Sequence, residues 1–325
     1  MRVASRLVLL SVMALIGLSG CAAPHYLVSR PLDVTRITAP VASVTRNVIL
    51  VSIDGLRPDA IDRFAAPTLQ RLMREGSYSL SARTIMPSST LPSHTSMLSG
   101  EPPDQHHVTW NNVVTADADV IDFSTVFSVA RASGYRTAAF FSKAKFSPLQ
   151  LPGSLDYSQA PGGWWGKWTS DRTVHDVLTH LRTERPNLLF VHLSDPDSAG
   201  HDSGWMSAPY GRAVQAADVA LGQLLAAADT TYGTGNYSVL VTADHGGHGY
   251  GHGTKDPLDV TIPWIAWGRG VNAGAMTDVT INTYDTAPTV LWLLGVEKPD
   301  AWDGVPVLQA FHPLVPPASS PVAAD

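Results

Sequence analysis

Cysteine is almost absent from this 325-residue chain: Cys21 stands alone, so no intrachain disulfide can brace the fold. Basic charge is also short. Lys and Arg number 22 against 28 Asp and Glu, a formal net charge of −6, which leaves no basic stripe for a phosphate backbone and excludes a nucleic-acid polymer as the expected partner. Residues 7–18 form an apolar run too short to span a bilayer comfortably. No segment repeats at a fixed period. What remains is 44% hydrophobic and 15% charged, the balance of a globular protein with ample core.

Arg2 and Arg6 followed by the apolar run have the form of an export signal over residues 1–20. Leu18-Ser19-Gly20-Cys21 resembles the bacterial lipobox, in which the cysteine is lipidated and becomes the first mature residue; a plain signal peptide cleaved nearby is the alternative. Several acyl chains on one residue anchor a protein stably. By that resemblance, Ala22 implies no retention in the inner membrane, and the expected location is the periplasmic face of the outer membrane of a Gram-negative bacterium. Residues 21–46 carry Pro24, Pro31 and Pro40 with little apolar periodicity and read as a tether. A catalytic domain is expected over 47–311 and a disordered tail over 312–325, where prolines alternate with small residues.

Inside the domain, buried-type strands alternate with helices. Asn47 to Ile53, Arg136 to Phe141, Asn187 to Leu193, Tyr237 to Val241 and Ile262 to Trp267 read as strands, and the spacing predicts helices over 67–75, 122–133, 171–183 and 207–229. That alternation predicts an α/β fold with a mostly parallel sheet and helices on both faces. Residues 101–170 fit it least well and are expected to contribute a small cap over the carboxyl ends of the strands, with Trp110, Trp164, Trp165 and Trp168 as core or as a stacking surface.

Functional groups in open α/β sheets collect at the carboxyl ends of strands. Asp54 follows the first strand; Asp195, Asp197 and, four residues on, His201 follow the third. Thr242 to Gly253 packs one carboxylate, Asp244, with His245, His248 and His252 among five glycines. Imidazole and carboxylate suit Zn²⁺ and similar divalent ions, and glycine lets the backbone wrap closely. Asp195 reads as a helix cap or supporting residue no more readily than as a direct participant in the site. A turn at Pro87-Ser88-Ser89 enters a short helix ending at Gly100, which places Thr90 at a helix N-terminus that favours phosphate. Metal coordination would lower the pKa of its hydroxyl enough for attack near neutral pH.

Four motifs in order resemble the alkaline phosphatase superfamily and, within it, the type I phosphodiesterase/nucleotide pyrophosphatase family in compact bacterial form. They are Ser52 to Asp59, Pro87 to His94, Asp195 to His201, and Thr242 to Gly246. The resemblance implies an alkaline phosphatase-like sheet and two divalent ions, zinc by ligand type. Asp54, Asp244, His245 and the Thr90 oxygen would hold one; Asp197, His201 and a later histidine would hold the other. His252 is assigned that role by its position before the Thr261 strand, with His248 as rival. The resemblance also implies a phospho-threonine intermediate on Thr90 and a hydrogen bond from Asn111, or its neighbour Asn112, to a non-bridging phosphate oxygen. A neutral Asn suits a singly charged diester, so the expected activity is hydrolysis of nucleotide-type or other small phosphodiesters. A phosphomonoesterase or phosphonate hydrolase and a non-catalytic metal-binding lipoprotein are the alternatives. A sulfatase is disfavoured, because Thr90-Leu91-Pro92-Ser93-His94 lacks both the formylglycine precursor and the arginine of that motif.

Overall fold

Val48–Ile53 offers water no continuous polar face and forms β1, buried along its whole length. The computed structural model describes residues 43–113, 123–163 and 166–313. After β1 come α1 (Pro58–Arg63), α2 (Pro67–Glu75), β2 (Ser77–Arg83), α3 (Thr90–Ser99), α4 (Pro103–His106), α5 (Val126–Ala132), β3 (Thr137–Phe140) and β4 (Tyr157–Gln159). The second half holds α6 (Ser170–Leu181), β5 (Leu188–Leu193), α7 (Asp195–Ser203), α8 (Ala208–Tyr232), β6 (Ser238–Thr242), α9 (Pro257–Val260), β7 (Thr261–Gly268), β8 (Gly274–Ala275) and α10 (Thr286–Leu294). Cys21, the tether, Trp164, Trp165 and the tail from 314 lie outside the described residues.

The strands form one eight-stranded sheet in the order β4-β3-β5-β1-β6-β7-β2-β8. Its first five strands are mutually parallel, as the strand and helix alternation predicts. β7 runs antiparallel to β6 because the chain returns through the His-rich loop and α9, with no long crossover helix to carry it back to the starting edge. Helices α1, α2, α6, α7 and α8 pack together on one face, and α3, α5 and α10 on the other. Among the described residues no helix is long and apolar enough to cross a membrane.

Several elements were not anticipated, among them β2, α1 and α10. In β2 the serines at 77 and 79 take buried positions, which hides the alternation of apolar and polar residues. α1 is a six-residue stretch of helix that opens on Pro58. α10 is apolar nearly all round and gives no 3.6-residue period, as expected of a helix buried on most sides. Of residues 101–170, α5, β3 and β4 belong to the body of the fold, whereas Asn111–Val113 and Lys143–Lys145 border a cavity at the strand ends.

Candidate active site

β5, β1 and β6 are adjacent and in register, with Ile53 opposite Leu193 and Ser52 opposite Thr242, so their carboxyl ends finish at one edge. Asp54, the first turn of α7 and Asp244-His245 emerge there together. Gly55 makes the approach possible: its φ is +71°, and a Cβ on it would stand 2.9 Å from the Asp197 Cα. The Asp197 N–H donates to the Asp54 carbonyl at 3.0 Å, joining the two loops directly.

The three histidines His201, His245 and His252 are oriented alike. Each places Nδ1 on a backbone carbonyl, of Tyr250 at 3.0 Å, Gly246 at 2.8 Å and Ser88 at 2.8 Å respectively. A carbonyl can only accept, so Nδ1 carries the proton and each Nε2 presents a lone pair. Those lone pairs converge. His245 Nε2 lies 3.4 Å from Asp54 Oδ1 and 3.3 Å from Asp244 Oδ2; His201 and His252 Nε2 lie 3.3 and 3.5 Å from Asp197 Oδ1 and 3.1 Å from each other. The rings of His245 and His252 stack at 3.6 Å, linking the two groups.

Asp54 Oδ1, Asp197 Oδ1 and Asp244 Oδ2 are buried and receive no hydrogen bond. Lone pairs facing lone pairs in a buried cluster are unfavourable unless a cation lies between them, so the donor set fits two divalent ions. Two triads have the spacing for it, Asp54 with Asp244 and His245, and Asp197 with His245 and His252. The electrostatics point the same way. Burial, reinforced by the Asp54 charge, pushes the Asp244 carboxyl well above the usual range. Burial pushes His245 down to about 3, with His252 adding to the effect. Burial also disfavours ionised Asp54, but the Lys143 ammonium and a His192 hydrogen bond outweigh it and hold this carboxyl well below its ordinary value. Lys143 Nζ donates at 2.5 Å to both Asp54 and Asp197.

Thr90 opens α3 and is 1% exposed. Its Oγ1 lies 3.4 Å from His245 Nε2, between the donor cluster and the helix N-terminus. Asn111 Oδ1 accepts from the Leu91 N–H at 2.9 Å and from Lys145 Nζ at 3.2 Å. Thr90, Asn111, Lys143, Lys145, Asp197, His201 and His252 share a cavity of about 760 Å³.

A family model described as type I phosphodiesterase / nucleotide pyrophosphatase matches residues 48–261. The chain belongs to that family. It is 25% identical over 224 residues to mouse ectonucleotide pyrophosphatase/phosphodiesterase family member 3, a match covering 61% of this chain and 24% of the relative. The chain thus spans about a quarter of the length of that relative. Its fold is that of the alkaline phosphatase superfamily: alkaline phosphatase PafA superposes at a TM-score of 0.66 and 12% identity over 85% of this chain and all of the other. Murine ectonucleotide pyrophosphatase/phosphodiesterase 5, inactive through a threonine-to-alanine substitution and in complex with AMP, superposes at 0.64 and 15% identity over 78% of this chain and 96% of the other.

In this family member His248 lies outside the donor cluster: its Nδ1 is 2.7 Å from Asp259 Oδ1 and its side chain is 44% exposed. Asp195 likewise turns away, accepting the Ser170 N–H at 3.0 Å at the start of α6. Asn112 is an exposed cavity residue, and Trp168 stacks beneath Arg172. Sequence reasoning missed Lys143 and Lys145, although both follow the end of β3 at the same sheet edge. It also missed the support behind Asp54, where His192 Nδ1 accepts from the Ser142 N–H and Nε2 donates to Asp54 Oδ2 at 3.0 Å. Trp205 was missed too. Its indole lies within 3 Å of where Cβ atoms at Gly200 and Gly247 would stand, and its Nε1–H donates to the Gly55 carbonyl.

The segment carrying Asn111 is fastened to α3 through His106, whose Nδ1 accepts the Val108 N–H at 3.0 Å while Nε2 donates to Ser96 Oγ at 2.9 Å. Protonating Nδ1 would break the first bond, and burial pushes His106 from 6.5 down to about 4. The unfolded chain therefore binds this proton more readily between pH 4 and 6.5, and stability falls as pH falls through that window. The expected loss is up to about 3 kcal/mol. Urea unfolding of wild type and His106→Gln at pH 4.5 and 7.5 checks it: the stability difference should shrink at acid pH, and a constant difference would contradict the assignment.

Proposed function

We propose that the chain is a metal-dependent hydrolase of small, nucleotide-type phosphodiesters, with Thr90 as nucleophile and two divalent ions, zinc by ligand type, held by Asp54, Asp244, His245 and Thr90 and by Asp197, His201 and His252. The observation that carries this reading is the position of Thr90 Oγ1, buried at a helix N-terminus and 3.4 Å from the His245 Nε2 lone pair. Membership in the family and the AMP-bound murine relative support the substrate class. A cavity of about 760 Å³ is within the ordinary range for small-molecule sites.

Bound ions would supply charge that acidifies the Thr90 hydroxyl and offsets the negative charge developing on the leaving oxygen. The chain's own residues do the rest. The Leu91 N–H fixes the Asn111 amide so that its NH₂ is free for a non-bridging phosphate oxygen, and the α3 N-terminus adds its dipole. Thr90 Oγ1, its proton released to solvent, bonds to phosphorus as the ester bond breaks, and the departing alkoxide takes a proton from water. Water then cleaves the phospho-threonine and restores the hydroxyl. Acid-quenching the zinc-loaded protein during turnover of bis-p-nitrophenyl phosphate and mapping the adduct by mass spectrometry tests this. An adduct on Thr90 is expected; absence of turnover would defeat the reading.

The same proposal places the catalytic domain at 47–311 and ties it to a membrane through a lipid on Cys21 and the tether that follows. Cys21→Ser is expected to move the protein from the membrane to the soluble fraction of the producing bacterium. Continued sedimentation with membranes would refute the lipid anchor.

A further inference from the structure

We propose that Lys145 is a phosphate-binding, specificity-determining residue that fits this site to phosphoryl groups carrying two negative charges, so that phosphate monoesters are turned over alongside diesters. The inference rests on the phosphoester-hydrolase reading above and departs from the expectation, drawn from neutral Asn111, that the site meets only a single charge.

On the reading above, Asn111 is the residue that would meet a non-bridging phosphate oxygen. Its Oδ1 accepts from the Leu91 N–H and from Lys145 Nζ, so the ammonium stands 3.2 Å from the amide oxygen and the NH₂ of the same amide is left for the substrate. Only one of the three Lys145 N–H donors is used there. Among the described residues Lys145 forms no ion pair with a carboxylate, in contrast to Lys143, whose charge is met by Asp54 and Asp197. Lys145 is half-buried and borders the same cavity as Thr90. A partly desolvated ammonium facing only a neutral amide is poorly compensated, and an anion in the cavity would compensate it.

The charge count decides the class. A diester offers one negative charge and a monoester dianion two, and an ammonium beside the non-bridging oxygens favours the second. Chemically the monoester follows the same course: the Thr90 oxygen–phosphorus bond forms as the alcohol departs with a proton from water, and hydrolysis releases inorganic phosphate. That product is a dianion near neutral pH, so it too should bind through Lys145.

The test uses the zinc-loaded full-length chain in detergent, with wild type, Lys145→Met, Lys145→Gln and Lys145→Arg. First, kcat/KM is measured for p-nitrophenyl phosphate and bis-p-nitrophenyl phosphate on the same preparations, so that partial misfolding cancels in the ratio. Both values should fall in the neutral variants, but the monoester-to-diester ratio should drop by about tenfold or more, the scale of one charge-assisted hydrogen bond, and Lys145→Arg should restore most of it. Second, inorganic phosphate binding to Thr90→Ala is measured by calorimetry with and without Lys145→Met, and affinity should drop by a similar factor. An unchanged ratio in an active enzyme, as expected if Lys145 merely props Asn111, overturns the inference and leaves the hydrolase reading standing. If wild type cleaves neither ester, the hydrolase reading falls, and the calorimetry still decides whether Lys145 holds a dianion.

Discussion

Thr90→Ala is expected to lower kcat for bis-p-nitrophenyl phosphate by about 10⁴-fold or more while leaving both metal ions bound, because removing a nucleophile abolishes its covalent route and leaves only the residual effect of binding. The structural cost of the change should be small. Thr90 does not cap α3, whose N-cap position is Ser89, and its hydroxyl makes its contact with His245 rather than with the backbone. Alanine is smaller, and the other proposed ligands are untouched. Steady-state kinetics together with metal content per chain check the prediction. Activity within tenfold of wild type would mean that another group attacks phosphorus; loss of an ion together with activity would recast Thr90 as mainly a ligand.

His252→Ala should release about one ion per chain and lower kcat/KM by roughly 10²- to 10³-fold, since one of the three protein ligands proposed for an ion that offsets developing charge is lost. The paired control is His248→Ala. Both histidines lie in one loop, yet His252 turns Nε2 to Asp197 and His201, while His248 is bound to Asp259 at the surface. Metal content of the two variants separates the roles. An ion lost from His248→Ala and retained in His252→Ala would reverse the assignment.

The strands and the residues at their ends were legible because burial on both faces leaves an unmistakable apolar run, and the topology then brings the ends together. Val48–Ile53, Leu188–Leu193 and Ser238–Thr242 emerge within a residue of the expected limits. The choice between His248 and His252 was not legible. It depends on which imidazole is pinned by a carbonyl, that of Ser88, contributed 164 residues earlier in the chain. Lys145 escaped for a similar reason: nothing in Lys143-Ala144-Lys145 distinguishes a solvated pair of lysines from two that enter a cavity. Elements without a clear period, β2 and α10, were hidden by buried serines and by apolar character on every side.

The adjacency of β5, β1 and β6 has a consequence for the order of events in the cell. The Gly55 N–H to Asp244 hydrogen bond closes a loop of 189 residues, and its neighbours span comparable distances. Contacts so far apart in sequence form late, after the intervening strands have paired. A nascent or truncated chain ending before β6 therefore has no pair of ion cradles to fill, however many aspartates and histidines it already contains. The proposed ions would then be acquired only by a nearly finished sheet. Lys143, donating to Asp54 and Asp197 at once, gives that sheet a cation of its own with which to close.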